Sequence, residues 1–165
     1  MSALLRRIVL NDWFLHDLAG ENGAAAQLSS AELLLGLIEG PFQLCVRQGT
    51  SWTSKAYGLM RHNEAPIRSL SRLLQNRVLL DSRTVVWAID RPLTPEERTI
   101  LSLCPTEDRY LVETYLLCDA SVLATDDSGV LTAYRDHPRI KVTGRLDIMR
   151  EVTRGVRPPH ADVNP

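Results

Sequence analysis

Acidic side chains stand where the strands of an open α/β sheet are expected to end. Asp12 follows the apolar run Arg6-Arg7-Ile8-Val9-Leu10-Asn11, and Asp126 and Asp127 follow Ala120-Ser121-Val122-Leu123-Ala124-Thr125. Asp108 opens the helix-like segment leading into that second run. Acids at the carboxyl ends of strands sit over the crevice where such sheets bind ligands. Several carboxylates in one place repel one another unless a cation lies between them, and hard oxygen ligands suit Mg²⁺ or Mn²⁺. The chemistry expected of Asp12, Asp108 and Asp126, with Asp127 as an adjacent ligand, is metal-assisted phosphodiester hydrolysis, in which no nucleophilic side chain is needed.

Each of these residues also has a plainer reading. Asp12 and Asp108 can cap or stabilise the first turn of a helix, and Asp126 and Asp127 can shape the turn before Gly129. Asp119 reads as a solvated loop acid. His16 lies four residues after Asp12, on the same helix face, and can be a ligand partner or a packing residue. Trp13, Trp52 and Trp87 can stack on bases, although tryptophans in a chain with 5% aromatic residues fit the core as well.

The elements that must carry these groups follow from hydrophobic pattern and punctuation. Ile8-Val9-Leu10 is apolar without alternation, as in a parallel strand covered on both faces. A short helix is expected after Asp12, broken at Gly20 and Gly23. Ser29-Ser30-Ala31-Glu32 reads as the cap of a helix through Ile38, stopped by Gly40-Pro41. Phe42 to Val46 reads as a strand, and Ser51 or Thr53 as the start of a helix. Ile67, Leu70, Leu73 and Leu74 recur at helical spacing, and Thr84 to Ile89 reads as a strand. Thr94-Pro95-Glu96-Glu97 has the signature of a capping box with proline at the first helical position. Pro105 to Asp108 opens the next helix, Ser121 to Thr125 forms a strand and Ser128 starts a short helix. Ile140 to Val142 is a last strand, followed by a helix over Leu146 to Val152. This alternation predicts one three-layer α/β/α sandwich domain with a mainly parallel sheet over residues 1–155 and a flexible tail at 156–165.

A chain of 165 residues can bury a proper core, and 44% hydrophobic with 24% charged residues is ordinary globular composition. The net charge of −1 gives no overall attraction to nucleic acid or membranes, but the charge is unevenly spread. Residues 1–40 carry a balance of −3, residues 41–91 a balance of +5 (8 basic against 3 acidic), and the remainder −3. An arginine-rich centre between acidic ends fits a protein that holds a polyanion, with Arg47, Lys55, Arg61, Arg68 and Arg72 as phosphate contacts; scattered solvated faces are the plainer account. The three cysteines, Cys45, Cys104 and Cys118, have no metal-ligand spacing and fit buried thiols in a reducing compartment. No run approaches the roughly 18 apolar residues of a membrane span, and the expected location is cytoplasmic.

The segment Thr106-Glu107-Asp108-Arg109-Tyr110-Leu111-Val112-Glu113-Thr114, followed by Ala120-Ser121-Val122-Leu123-Ala124-Thr125-Asp126 and read with Asp12 near the start, resembles the PIN-like nuclease domains. The resemblance implies a PIN-like fold and a Mg²⁺- or Mn²⁺-dependent endoribonuclease with Asp12, Asp108 and Asp126 at its site. It also implies RNA as substrate, an antitoxin protein as a partner in toxin–antitoxin members, and a homodimer. One departure stands out. The family carries a further glutamate after the second strand, whereas Gly49 to Tyr57 contains no acid and offers Lys55, which can face a phosphate instead. Glu113 and Asp119 are the acids left to complete such a site. The alternative implied by this departure is a degenerate PIN-like module that binds RNA or protein without cutting. Phosphatase and receiver domains also place Asp after the first strand, but position 14 is Phe14 rather than a second acid, and the centre lacks a phosphoacceptor.

Overall fold

The computed structural model describes residues 4–154. β1 (Arg6–Leu10), α1 (Trp13–Leu18), α2 (Ala24–Glu39) and β2 (Phe42–Val46) come first; α3 (Ser51–Leu59), α4 (Ala65–Leu73) and a π-helical continuation Leu74–Leu79 lead to β3 (Val85–Trp87). α5 (Pro95–Ser102), a 3₁₀ turn (Thr106–Asp108) and α6 (Arg109–Cys118) return the chain to β4 (Val122–Ala124), and α7 (Ser128–Tyr134), β5 (Val142–Thr143) and α8 (Arg145–Arg154) complete it. All strand pairs are parallel and the order is β3-β2-β1-β4-β5. The architecture is the α/β/α sandwich that the alternation predicts. No described helix is long and apolar enough to cross a membrane. The expected tail at 156–165 lies outside the described residues.

The pleat divides the core in two. Ile8, Leu10, Leu44, Val46, Val122 and Ala124 join α1, α2, α3, α4 and α8 on one face. Val9, Cys45 and Leu123 join α5, α6 and α7 on the other. Successive side chains of a strand point to opposite faces, so a stretch buried on both sides must be apolar throughout, as β4 and the Ile8–Leu10 part of β1 are. The connections β1–β2 and β2–β3 run outward over the first face. The chain then reverses direction to reach β4, and a right-handed crossover in the reversed direction falls on the second face. The reversal leaves β1 and β4 adjacent, with no crossover helix over the gap between their carboxyl ends.

Several boundaries differ from expectation, each for a local reason. α2 begins at Ala24, because Ala24-Ala25-Ala26 favours helix and Gly23, at φ 94°, supplies the turn before it. Ser30 is then mid-helix and fully buried, and its hydroxyl donates to Asp17 at 2.6 Å rather than capping. Thr50, not Ser51 or Thr53, caps α3 by accepting from the Thr53 amide. The expected helix around Ile67 continues as a π-helix, a wider turn that places Leu74, Val78 and Leu79 all on the buried side. β3 keeps only three of the six residues expected of it. The capping box forms as read: Thr94 Oγ1 accepts from the Glu97 amide at 3.1 Å, and Glu97 accepts from the Thr94 amide at 2.9 Å.

Two positions give direct tests of this packing. At Gly36 on α2, a Cβ would lie 2.5 Å from Val152 Cγ1 and 3.1 Å from the Val152 carbonyl oxygen on α8. Alanine would gain about 1 kcal/mol of helix propensity, but overpacking against a stiff β-branched side chain costs about 1–3 kcal/mol. Gly36→Ala is therefore expected to lower the melting temperature; a rise would show that α2 and α8 separate readily. Glu97, 2% exposed, receives both guanidinium nitrogens of Arg91 at 2.8 and 2.9 Å and one from Arg139 at 3.3 Å. The Arg91 hydrogen bonds, then that of the Thr94 amide, hold its carboxyl down at about 2. A depressed carboxyl pKa stabilises the fold above the ordinary carboxylate range of roughly 4.3, and the stabilisation fades as pH falls toward the folded value. Melting curves between pH 6 and pH 2 are expected to show a smaller acid-side decline in Glu97→Gln than in wild type.

Candidate functional site

The carboxyl ends of β1 and β4 are clasped at the switch point. The Asn11 amide nitrogen of the backbone donates to the Ala124 carbonyl at 2.9 Å, and Asn11 Nδ2 donates to Thr125 Oγ1 at 3.0 Å. Asn11 Oδ1 accepts from the Asp12 amide at 2.6 Å and from the Tyr110 hydroxyl at 3.5 Å. Thr125 Oγ1 accepts in turn from the Asp127 amide at 3.1 Å. Asn11 and Thr125 are buried, so this chain of bonds sets how Asp12 and Asp127 leave the two strands.

The four predicted acids then part company. Asp12 occupies the residue before α1 but makes no capping bond with its side chain; its Oδ2 is ion-paired to the Lys55 ammonium and lies 3.5 Å from His16 Nε2. Asp108 precedes α6, also without a side-chain cap. Burial first, and then the charges of Asp127, Glu107 and Asp12, raise its carboxyl pKa. Asp127 caps α7, its Oδ1 accepting from the Val130 amide at 2.9 Å. Asp126 is exposed, and its Oδ1 accepts from the Arg145 amide at the start of α8, 3.2 Å away. Asp12, Asp108 and Asp127 thus share the electrostatics of the crevice, while Asp126 serves α8. Of the two acids named as substitutes, Glu113 is paired with Arg47 at 2.8 Å. Asp119 caps the end of α6 in the left-handed region at φ 51°, at the opposite end of the strands.

The basic residues divide in the same way. Arg47 is held between Asp90 and Glu113, each at 2.8 Å, and Lys55 is held by Asp12. Arg68 donates to the carbonyls of His62 at 3.0 Å and Asn63 at 2.5 Å, closing the loop before α4. Arg61 and Arg72 are exposed. None of these last three takes part in an ion pair among the described residues. Trp13 and Trp52 are buried in the core, and Arg145 lies over the Trp13 ring at 5.1 Å.

While it is paired with Lys55, Asp12 is not free to join Asp108 and Asp127 on a shared Mg²⁺ or Mn²⁺ ion. Lys55 stands on α3 where the resemblance calls for an acid, and its ammonium already neutralises Asp12. Among the described residues no three His, Cys, Asp or Glu side chains converge to hold a metal. Sequence reasoning missed Asn11, Thr125 and Tyr110. Burial, ahead of the nearby carboxylates, pushes the Tyr110 phenol up to about 12, so it remains a hydrogen-bond donor at neutral pH. The position of Asn11 directly before Asp12 was the available signal, but its partner is 114 residues away.

Asn11→Ala is expected to destabilise the fold by about 1–3 kcal/mol, because it removes one of the two partners of the buried Thr125 hydroxyl and breaks the clasp. Asp127→Ala should cost about 1 kcal/mol as a lost cap, and Asp126→Ala less than Asp127→Ala. Chemical denaturation of the three variants checks this order; equal losses at 126 and 127 would contradict the assignment of the cap.

Searches found no matching family model, no matching curated protein and no matching solved structure.

Proposed function

We propose that this chain is a PIN-like RNA-binding domain whose acidic crevice operates without a divalent ion. The observation that carries this reading is the Lys55–Asp12 ion pair: a cationic side chain on α3 meets the carboxylate at the end of β1. Arg61, Arg68 and Arg72, free of carboxylate partners among the described residues, provide the phosphate contacts. A second reading, Mg²⁺- or Mn²⁺-dependent cleavage of RNA by a toxin-type protein, draws support from the raised Asp108 carboxyl, whose repulsion from Asp127 and Asp12 a bound cation would relieve.

Two measurements test the readings, the first the RNA binding that they share and the second the metal on which they differ. Fluorescence anisotropy with single-stranded RNA should show affinity falling with salt; three phosphate contacts on a single strand give about a 20-fold loss between 50 and 200 mM salt. Arg61→Ala and Arg72→Ala should each flatten that dependence, and a salt-independent affinity would remove the arginines from the interface. Calorimetric titration with Mn²⁺ is expected to show no specific binding to wild type and a gain of binding in Lys55→Glu, which frees Asp12 and adds a ligand. Stoichiometric Mn²⁺ binding by wild type, with cleavage abolished by Asp12→Asn and Asp108→Asn, would favour the second reading.

A further inference from the structure

The chain has nine aromatic residues: 3 Trp, 4 Tyr and 2 Phe. Six are buried, and Trp87 and Tyr110 are half-buried against the core. Only Tyr57, on α3, is exposed, at 42%. A lone exposed tyrosine is ordinary; what sets this one apart is how its ring is held and what flanks it. Aromatic side chains of a helix lean toward its N-terminus, and at the start of α3 Gln48 Nε2 donates to the Tyr57 hydroxyl at 3.4 Å. The ring is thus held at both ends along the outer side of α3. Gly58, the next residue, adds no side chain beside it, and a Cβ there would meet nothing within 4 Å. Gly58 opens instead onto a hollow of about 500 Å³ bordered by His16, Lys55 and His62.

A free cation follows on the same surface. Arg61 stands one turn after Tyr57, and side chains four residues apart on a helix are neighbours, with roughly 5–6 Å between their Cβ atoms. The Arg61 backbone amide donates to the Gly58 carbonyl at 3.1 Å, so the helical path continues to this residue. Arg61 is exposed and takes part in no ion pair among the described residues. Met60 lies between them in sequence, 46% exposed. A tyrosine, a methionine and an arginine on one strip also suit a protein partner. The charge of the segment favours a polyanion: residues 41–91 carry a balance of +5.

We propose that Tyr57 is a base-stacking subsite of the RNA-binding surface, where one unpaired base lies on the ring and Arg61 meets the neighbouring phosphate. The proposal rests on the RNA-binding reading above and adds to it a contact with a base. Every base has a π-face, so the subsite tolerates any sequence. A base inside a duplex is already stacked on its neighbours and cannot use the ring. Stacking displaces no counterions, so its contribution holds as salt rises, unlike that of the arginines. A ring already held in place loses little freedom when a base covers it. Gln48 acts through the ring, as a positioning residue.

The test is fluorescence anisotropy of the full chain with single-stranded RNA and with an RNA duplex of equal length, each over a range of salt. Tyr57→Ala is expected to weaken single-strand binding about 5- to 150-fold. Its duplex affinity should match wild type, and its plot of log affinity against log salt should run parallel to that of wild type. Tyr57→Phe should keep most of the affinity, while Tyr57→Leu should lose as much as Tyr57→Ala, because the ring rather than apolar area is what binds. Gln48→Ala should fall between wild type and Tyr57→Ala, with the salt slope unchanged. If Tyr57→Ala fails to fold, the comparison of Tyr57→Leu with Tyr57→Phe decides. Single strands bound equally by wild type and folded Tyr57→Ala overturn the subsite and leave the binding reading standing. Equal losses on single strand and duplex, or a flattened salt dependence, also overturn it, since they mark a phosphate contact or a general loss of structure. If wild type binds neither form of RNA, the subsite and the binding reading fall together, and the strip is left to a protein partner.

Discussion

The hydrogen-bonded clasp between Asn11 and Thr125 is the constraint on which the site depends. A parallel sheet needs crossover helices on both faces, and its reversal between β1 and β4 leaves one gap at the carboxyl edge that no crossover covers. Backbone groups at such an edge have lost their ladder partners and must be satisfied otherwise. Asn11 does this for the Asp12 amide with its side-chain oxygen, and the same side chain ties in the Tyr110 and Thr125 hydroxyls. The direction in which Asp12 and Asp127 emerge is a consequence.

Around that clasp the charge is matched almost pair by pair. Lys55 answers Asp12, Arg47 answers Glu113 and Asp90, and Arg145 answers the fully buried Asp17 at 2.5 Å. Buried charge is costly unless paired and hydrogen-bonded, and Asp17 has Asn22 and Ser30 as further partners. Arg145 also lies over Trp13 and donates its backbone N–H to Asp126. Arg145 thereby ties α8 to α1 and to the end of β4, while Val152 packs α8 against Gly36 of α2. Asp108 and Asp127 are the exceptions in the crevice: neither has a basic partner among the described residues, and the Asp108 carboxyl is raised by burial and by like charges.

Much of the fold was legible in the sequence because its signals are local. The unbroken apolar runs of β1 and β4 announced strands covered on both faces, and Thr94, Pro95 and Glu97 announced a helix start that forms as read. The start of α2 was misread because Ser30 looks like a cap in sequence and is instead a buried partner of Asp17. The choice between Asp126 and Asp127 was not legible either. Adjacent residues at a strand end diverge, and which one bears on the crevice depends on where α7 and α8 begin.

Residue types and order alone determined the layered architecture, the acids at the ends of β1 and β4, and the lysine in place of an acid on α3. Periodicity and chain reversal fix those without reference to distant contacts. Only the folded chain decided that Lys55 neutralises Asp12, that Asp126 serves α8, and that two histidines 46 positions apart in the numbering border one pocket. Such pairings depend on helix placement and side-chain reach across the packed layers, and a linear pattern carries no measure of either.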